Sequence, residues 1–166
     1  MADLASVPHA LSEHVDWRGG LVPARPILGL AIFRVKSAKA SGEVAASLGL
    51  PAATAATPEA LGIGPGDWLL FCPEADAPTL KARISAVPGC YAAEQGDALT
   101  FLDLGDAVDL IVRLTGLRAD ALAPGRTART RIAGIAAIFH GTDDGVRMLF
   151  DRSYQRHVRD WLDAAV

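Results

Sequence analysis

Four histidines, two cysteines and a C-terminal group of arginines are the side chains with the most chemistry to offer. His9, His14, His140 and His157 fall at no metal-ligand spacing, and neither Cys72 nor Cys90 has a second cysteine two to four residues away. No bound metal is expected. His140 reads as part of a polar turn and His157 as part of a helix, so both are expected to be solvated. Gly62-Ile63-Gly64-Pro65-Gly66 looks at first like a phosphate loop. No helical pattern follows it, and Pro65 removes a donor, so it reads as a turn before a strand. There is no Gly-x-Ser-x-Gly elbow, and Ser153 suits a helix cap better than a nucleophile. Catalytic, cofactor-binding and metal-binding residues are therefore all expected to be none.

The strongest polar feature is the set Arg126, Arg129, Arg131, Arg147, Arg152, Arg156 and Arg159. Arg129 and Arg131 are two apart, so on a strand they project from the same face. Such a face can hold a carboxylate-rich ligand or a partner subunit through paired N–H bonds. The plainer alternative is a solvated face paired with Asp103, Asp151 and Asp160. Arg126, Arg129, Arg131 and Arg152 are the candidate interface or anion-contacting residues.

The elements that must position them follow from hydrophobic periodicity. Residues 1–26 read as an extended arm rich in Pro and Gly. Ile27 to Val35 is an apolar run of strand length. A short helix follows Ser41 and stops at Gly49, and the Ala-, Thr- and Pro-rich stretch Pro51 to Pro58 reads as a surface connector. Asp67 to Phe71 suits a strand, and a helix opening at Asp76 and Pro78 would bury Leu80, Ile84 and Val87. Tyr91 to Glu94 and Ala98 to Leu104 read as a hairpin pivoting at Gly96. Ala107, Leu110, Ile111 and Leu114 share one helical stripe ended by Gly116. Thr127 to Phe139 and Val146 to Phe150 read as strands joined by a His140 to Gly145 turn. A closing helix carries Tyr154, Val158, Trp161, Leu162 and Ala165 on one side.

Helices interleaved with hairpins imply an α+β fold, mostly antiparallel sheet with helices packed on one face and possibly two small lobes. The expected organisation is an arm over 1–26 and an α+β domain over 27–166, divided near 87–90. No internal repeat is visible. A chain of 166 residues buries roughly 70% of its unfolded surface. Its 51% hydrophobic and 21% charged content is that of a packed protein. A net charge of −3 lacks the basic field that nucleic-acid binding needs, so nucleic acid is not expected as the main partner. No stretch approaches the roughly 20 apolar residues of a membrane span, and no secretory pattern opens the chain. A cytoplasmic location without membrane association is expected.

Four blocks then stand in order: GPGDWLLFCP (Gly64 to Pro73), LDLGDAVDLIVRLTGL (Leu102 to Leu117), APGRTARTRIAGI (Ala123 to Ile135) and RMLFDRSYQRHVRDWL (Arg147 to Leu162). Together they resemble the gamma subunit family of heterotetrameric sarcosine oxidase, over about two thirds of the chain. The resemblance implies a fold related to the folate-binding half of aminomethyltransferases. It implies a non-catalytic subunit that stabilises a flavoprotein assembly with alpha, beta and delta chains, serving one-carbon metabolism. FAD, FMN, NAD, zinc and tetrahydrofolate would then lie on the other subunits, with no cofactor in this chain. An alternative is a stand-alone folate-binding module whose arginines meet the glutamate tail. Gly89-Cys90-Tyr91 is also similar to a short element of folate-dependent iron–sulfur assembly proteins. Its flanks, Pro88 and Ala92-Ala93-Glu94-Gln95, differ from that motif, and a half-buried strand cysteine is the simpler reading of Cys90.

Overall fold

The computed structural model describes residues 30–38 and 41–165, so the expected arm lies outside the described residues. The chain divides into two compact units, with the boundary between Gly96 and Asp97. In the first unit the order is β1 (Leu30–Ser37), α1 (Ser41–Leu48), β2 (Ala56–Thr57), β3 (Ala60–Gly64), β4 (Asp67–Pro73), α2 (Ala77–Ser85) and β5 (Cys90–Glu94). The strands form one antiparallel sheet in the order β2-β3-β4-β1-β5. Alternation sends Ala31, Phe33 and Val35 of β1 and Trp68, Leu70 and Cys72 of β4 to one side, where Val44 of α1 and Ile84 of α2 join them. The opposite side carries Ile32, Leu61, Leu69 and Phe71, which are also buried.

The second unit runs β6 (Leu99–Asp103), α3 (Val108–Thr115), β7 (Thr127–Ile132), β8 (Ile135–Thr142), β9 (Gly145–Asp151) and α4 (Gln155–Ala165). Its antiparallel sheet has the order β6-β9-β8-β7. Leu102, Ala137, Phe139, Val146, Met148 and Phe150 face the helices, which contribute Ile111 from α3 and Val158 and Leu162 from α4. The spacing of Val158 and Leu162, one turn apart, is what lays α4 flat on the sheet. The α+β class, the antiparallel pairing and the helices on one side of each sheet agree with the sequence reading.

Several boundaries differ. Tyr91 to Glu94 and Ala98 to Leu104 do not form a hairpin: β5 pairs with β1, while β6 pairs with β9. The short 3-10 turn Gly96–Ala98 between them is where the chain leaves one unit for the other. The division thus falls beyond the expected 87–90, because β5 completes the first sheet. Thr127 to Phe139 is not one strand either, since Ala133 and Gly134, with φ of 53° and 79°, turn the chain back on itself. Two consecutive positive φ values are the signature of the tightest hairpin turns, and a glycine in the second place makes them accessible. The connector after Pro51 is structured: buried Trp68 donates its indole N–H to the Pro51 carbonyl at 2.9 Å, and Ala56–Thr57 pairs with β3.

The two units also repeat one topology, which the sequence did not show. Each runs strand, helix, strand, strand, strand, helix, and orders those four strands first-fourth-third-second, as β1-β4-β3-β2 and β6-β9-β8-β7. The repetition extends to single hydrogen bonds. Ala55 N–H donates to Ala52 C=O at 3.0 Å, as Arg126 N–H does to Ala123 C=O at 3.0 Å. Thr54 and Gly125, the third residues of these turns, both have positive φ, at 66° and 73°. Gly62 exchanges bonds with Thr54 and Ala55 as Gly141 does with Gly125 and Arg126. A side chain at Gly62 would strike the Ala52 carbonyl, and one at Gly141 the carbonyls of Leu122 and Ala123.

Gly62→Ala and Gly141→Ala are each expected to destabilise the protein by about 1–3 kcal/mol or more, because the obstructing atoms are backbone. Gly42→Ala in α1, where the added methyl meets open space, is expected to stabilise by about 0.5 kcal/mol. Urea unfolding of the three variants checks both signs.

Candidate functional site

The arginine-bearing surface belongs to the side of the second sheet turned away from α3 and α4. Register assigns each residue to it. Arg129 and Arg131 of β7 pair with Ile138 and Ala136 of β8, and Ile138 and His140 pair in turn with Leu149 and Arg147 of β9. Phe101 and Asp103 of β6 complete the rows opposite Leu149 and Arg147. This side is mixed. Phe101 and Leu149 are buried, whereas Arg129 and Arg131 are exposed.

Arg126, Arg129, Arg131 and Arg152 are all exposed, and they do not form one cluster. Arg126 lies in the turn that enters β7, its C=O accepting the Gly141 N–H at 2.9 Å. Arg131 lies near the other end of β7, and Arg152 follows β9 at that same end of the sheet, in the 3-10 turn Arg152–Tyr154. Of the carboxylates expected to pair with the arginine set, Asp103 and Asp160 do so, with Arg147 and Arg156, while Asp151 binds Ser153 instead. Asp103 accepts from Arg147 at 3.3 Å, Asp160 meets Arg156 at 3.6 Å on the exposed side of α4, and Asp151 accepts from the N–H and hydroxyl of Ser153 at 2.8 and 2.6 Å. Ser153 is thus the capped residue, and Asp151 the cap: those two bonds hold the Asp151 carboxyl below the usual range.

His140 departs furthest from expectation. It is a residue of β8 rather than of a turn, since Thr142 pairs with Gly145 and only Asp143 and Asp144 make the bend. Burial, with the Arg147 charge adding to it, holds its imidazole down from 6.5 to about 4. Arg147 opposite it donates to Asp103, whose other oxygen accepts the Gly105 N–H at 3.2 Å. The Asp103, Arg147 and His140 grouping escaped the sequence reading because the hairpin turn was set too wide. A two-residue turn at Asp143-Asp144 makes 142 face 145, and therefore 140 face 147. His157 is exposed as expected, with Nε2 2.8 Å from the Ala133 carbonyl. Cys90 is half-buried on β5, and burial raises the thiol of Cys72, with Asp76 and Glu94 adding to the effect. Among the described residues no group of three or more His, Cys, Asp or Glu side chains could hold a metal ion, and no helix is long and apolar enough to cross a membrane.

No protein-family model matches the chain, and no curated protein matches it. Its fold is that of a two-unit α+β protein similar to a chain of a solved enzyme complex, the heterotetrameric sarcosine oxidase from Corynebacterium sp. U-96 in complex with pyrrole 2-carboxylate. The TM-score is 0.65 at 22% identity, over 85% of this chain and 81% of that one. The likeness establishes the fold, and it agrees with the resemblance carried by the four sequence blocks.

Because the fold keeps His140 neutral, the unfolded chain binds the extra proton more tightly. Stability is therefore fully present above pH 6.5 and is expected to fall as pH drops from 6.5 toward about 4. Chemical unfolding at stepped pH should show this slope, and His140→Gln should flatten it.

Proposed function

We propose that this chain is a gamma-type, non-catalytic subunit of a sarcosine oxidase, or of a related oxidase acting on N-methyl amines, in the cytoplasm. The observation that carries this reading is a fold likeness that spans most of both chains, so that the matched chain is of comparable length. The four ordered sequence blocks point the same way. In this reading the chain works by burying surface against larger alpha-, beta- and delta-type chains. FAD, FMN, NAD, zinc and tetrahydrofolate reside on those partners.

The exposed Arg129, Arg131 and Arg152 favour docking by their chemistry. Guanidinium groups lose comparatively little hydration on burial and form paired bonds to carboxylates, which suits them to interfaces. The rival, a folate module gripping a glutamate tail, is less well served by this geometry. Arg126 lies at the opposite end of the sheet from Arg131 and Arg152, too dispersed for one ligand.

Co-expression with an alpha-type chain is expected to yield a stable complex. Arg129→Glu with Arg131→Glu is expected to slow association and weaken the complex by about tenfold or more. Failure to co-purify, or turnover of an N-methyl amine by the purified single chain, would overturn the reading.

A further inference from the structure

Each sheet has two outer strands, and an outer strand offers a row of unbonded N–H and C=O groups that another chain can pair with unless something prevents it. Three of the four outer strands are protected. β2 has only two residues, β6 is buried through Thr100, Phe101 and Leu102, and β7 exposes the charges of Arg129 and Arg131. β5, at the margin of the first sheet, has none of these devices. It contains neither proline nor lysine, and Ala92 and Ala93 are too small to hold a neighbouring strand off.

The register tells which backbone groups are on offer. Gln95 N–H donates to Ile32 C=O at 2.7 Å and Ala38 N–H to Gly89 C=O at 3.1 Å, one at each end of the β1–β5 ladder. Bonded residues alternate in an antiparallel pair, so Tyr91 and Ala93 bond to β1, while Cys90, Ala92 and Glu94 point their N–H and C=O outward. The Cys90 N–H is taken by Val87 C=O at 3.1 Å. Among the described residues no bond meets the outward groups of Ala92 and Glu94. Between them in sequence with Cys90 stands Tyr91, 69% exposed, the more exposed of the two large apolar side chains that face solvent among the described residues. Open backbone and an aromatic ring with much apolar area to bury thus coincide on one strand.

We propose that β5 pairs antiparallel with β5 of a second copy of this chain, about a twofold axis at Ala92. The sequence Cys-Tyr-Ala-Ala-Glu is self-complementary in that register. Each Ala92 exchanges both bonds with its counterpart, and each Glu94 N–H donates to the Cys90 C=O of the other copy. Tyr91 lies opposite Ala93, so each ring covers a small residue instead of meeting the other ring. Glu94 lies opposite Cys90, which sets the two carboxylates about 13 Å apart along the strands, where salt screens them. An axis at Tyr91 or Ala93 shortens the overlap and stacks like on like. A contact of this isologous kind closes at two copies. Five residues a side is well short of the roughly 20–30 of a standard interface, so the pairing is weak, with a dissociation constant on the order of 50 µM.

The test is sedimentation equilibrium of the full chain between about 5 and about 500 µM, together with residue-resolved amide exchange by NMR. A monomer–dimer equilibrium is expected, with the Ala92 and Glu94 amides exchanging about threefold more slowly at about 500 µM than at about 20 µM. Ala92→Pro removes an N–H that no bond inside the chain uses, at an outer-strand position where proline is tolerated, and is expected to leave a folded monomer. Tyr154→Ser, which alters the other exposed ring, should dimerise as the unaltered chain does. A chain that stays monomeric at the highest concentration would leave the strand to an unlike partner and overturn the proposal. A dimer with unprotected Ala92 and Glu94 amides, or one that Ala92→Pro leaves intact, would overturn it as well. Should Ala92→Pro fail to fold, the concentration dependence of the two amides decides alone. None of these outcomes bears on the docking of larger chains.

Discussion

In each unit a backbone carbonyl lies where a side chain would otherwise be. The turn entering the second strand of the unit presses its first carbonyl, that of Ala52 or Ala123, onto a glycine of the third strand, Gly62 or Gly141. The absence of a Cβ lets the turn approach closely enough for the glycine N–H and C=O both to be bonded. That contact fixes where the second strand begins, and so the register of the hairpin it opens. Register decides which side of a strand is apolar, because a slip by one residue exchanges the two sides. The placement of Phe139, Met148 and Phe150 under the helices, and of His140 and Arg147 on the other side, depends on it.

The two sides of each sheet then follow different rules. On the helix side the core residues are apolar, with Thr100 and Thr130 also on that side in the second unit, and each buried Leu, Ile or Phe contributes about 1.5–3 kcal/mol. The other side carries in each unit a partly buried ion pair between the first strand and its fourth-strand neighbour. In the first unit the cation is on the first strand, as Arg34, and in the second the anion is, as Asp103. The sign is reversed and the register differs: Asp103 lies directly opposite Arg147, whereas Arg34 lies opposite Leu69 and reaches diagonally to Asp67. A pair of opposite charges can be partly buried at that position in either orientation, since what matters there is neutrality and hydrogen-bond completion. The first pair achieves completion with a two-bond fork, and the second falls one donor short.

The sequence carried the class of fold because the strands and helices have distinct periods. β9 has Val146, Met148 and Phe150 on one side, α3 and α4 show stripes one turn apart, and Gly49 and Gly116 mark helix ends where the backbone turns left-handed. It did not carry the pairing. Nothing in Cys90 to Glu94 says that its partner is β1, some fifty-five residues earlier, rather than the adjacent β6. The topological repeat was hidden for a related reason: what it conserves is backbone conformation. Ala52-Ala53-Thr54-Ala55 and Ala123-Pro124-Gly125-Arg126 share a turn with almost no shared side chains. The arginines were legible as exposed. Their dispersal to both ends of the sheet required the hairpin turn at Ala133-Gly134, which the apolar run around it disguised.

The polar groups of the second unit fall into two kinds, exposed and partly buried. Basic residues in the turn before β7, on β7 and in the turn after β9 stand exposed on a chain whose net charge is negative, and they are spread over both ends of the sheet. The second kind is partly buried. Asp103, Arg147 and His140 lie in a row where burial holds the imidazole neutral, and a neutral imidazole beside a fixed guanidinium is a donor and acceptor of settled character across the physiological pH range. The exposed arginines of β7 and this row share one side of the sheet because the other side packs against the helices.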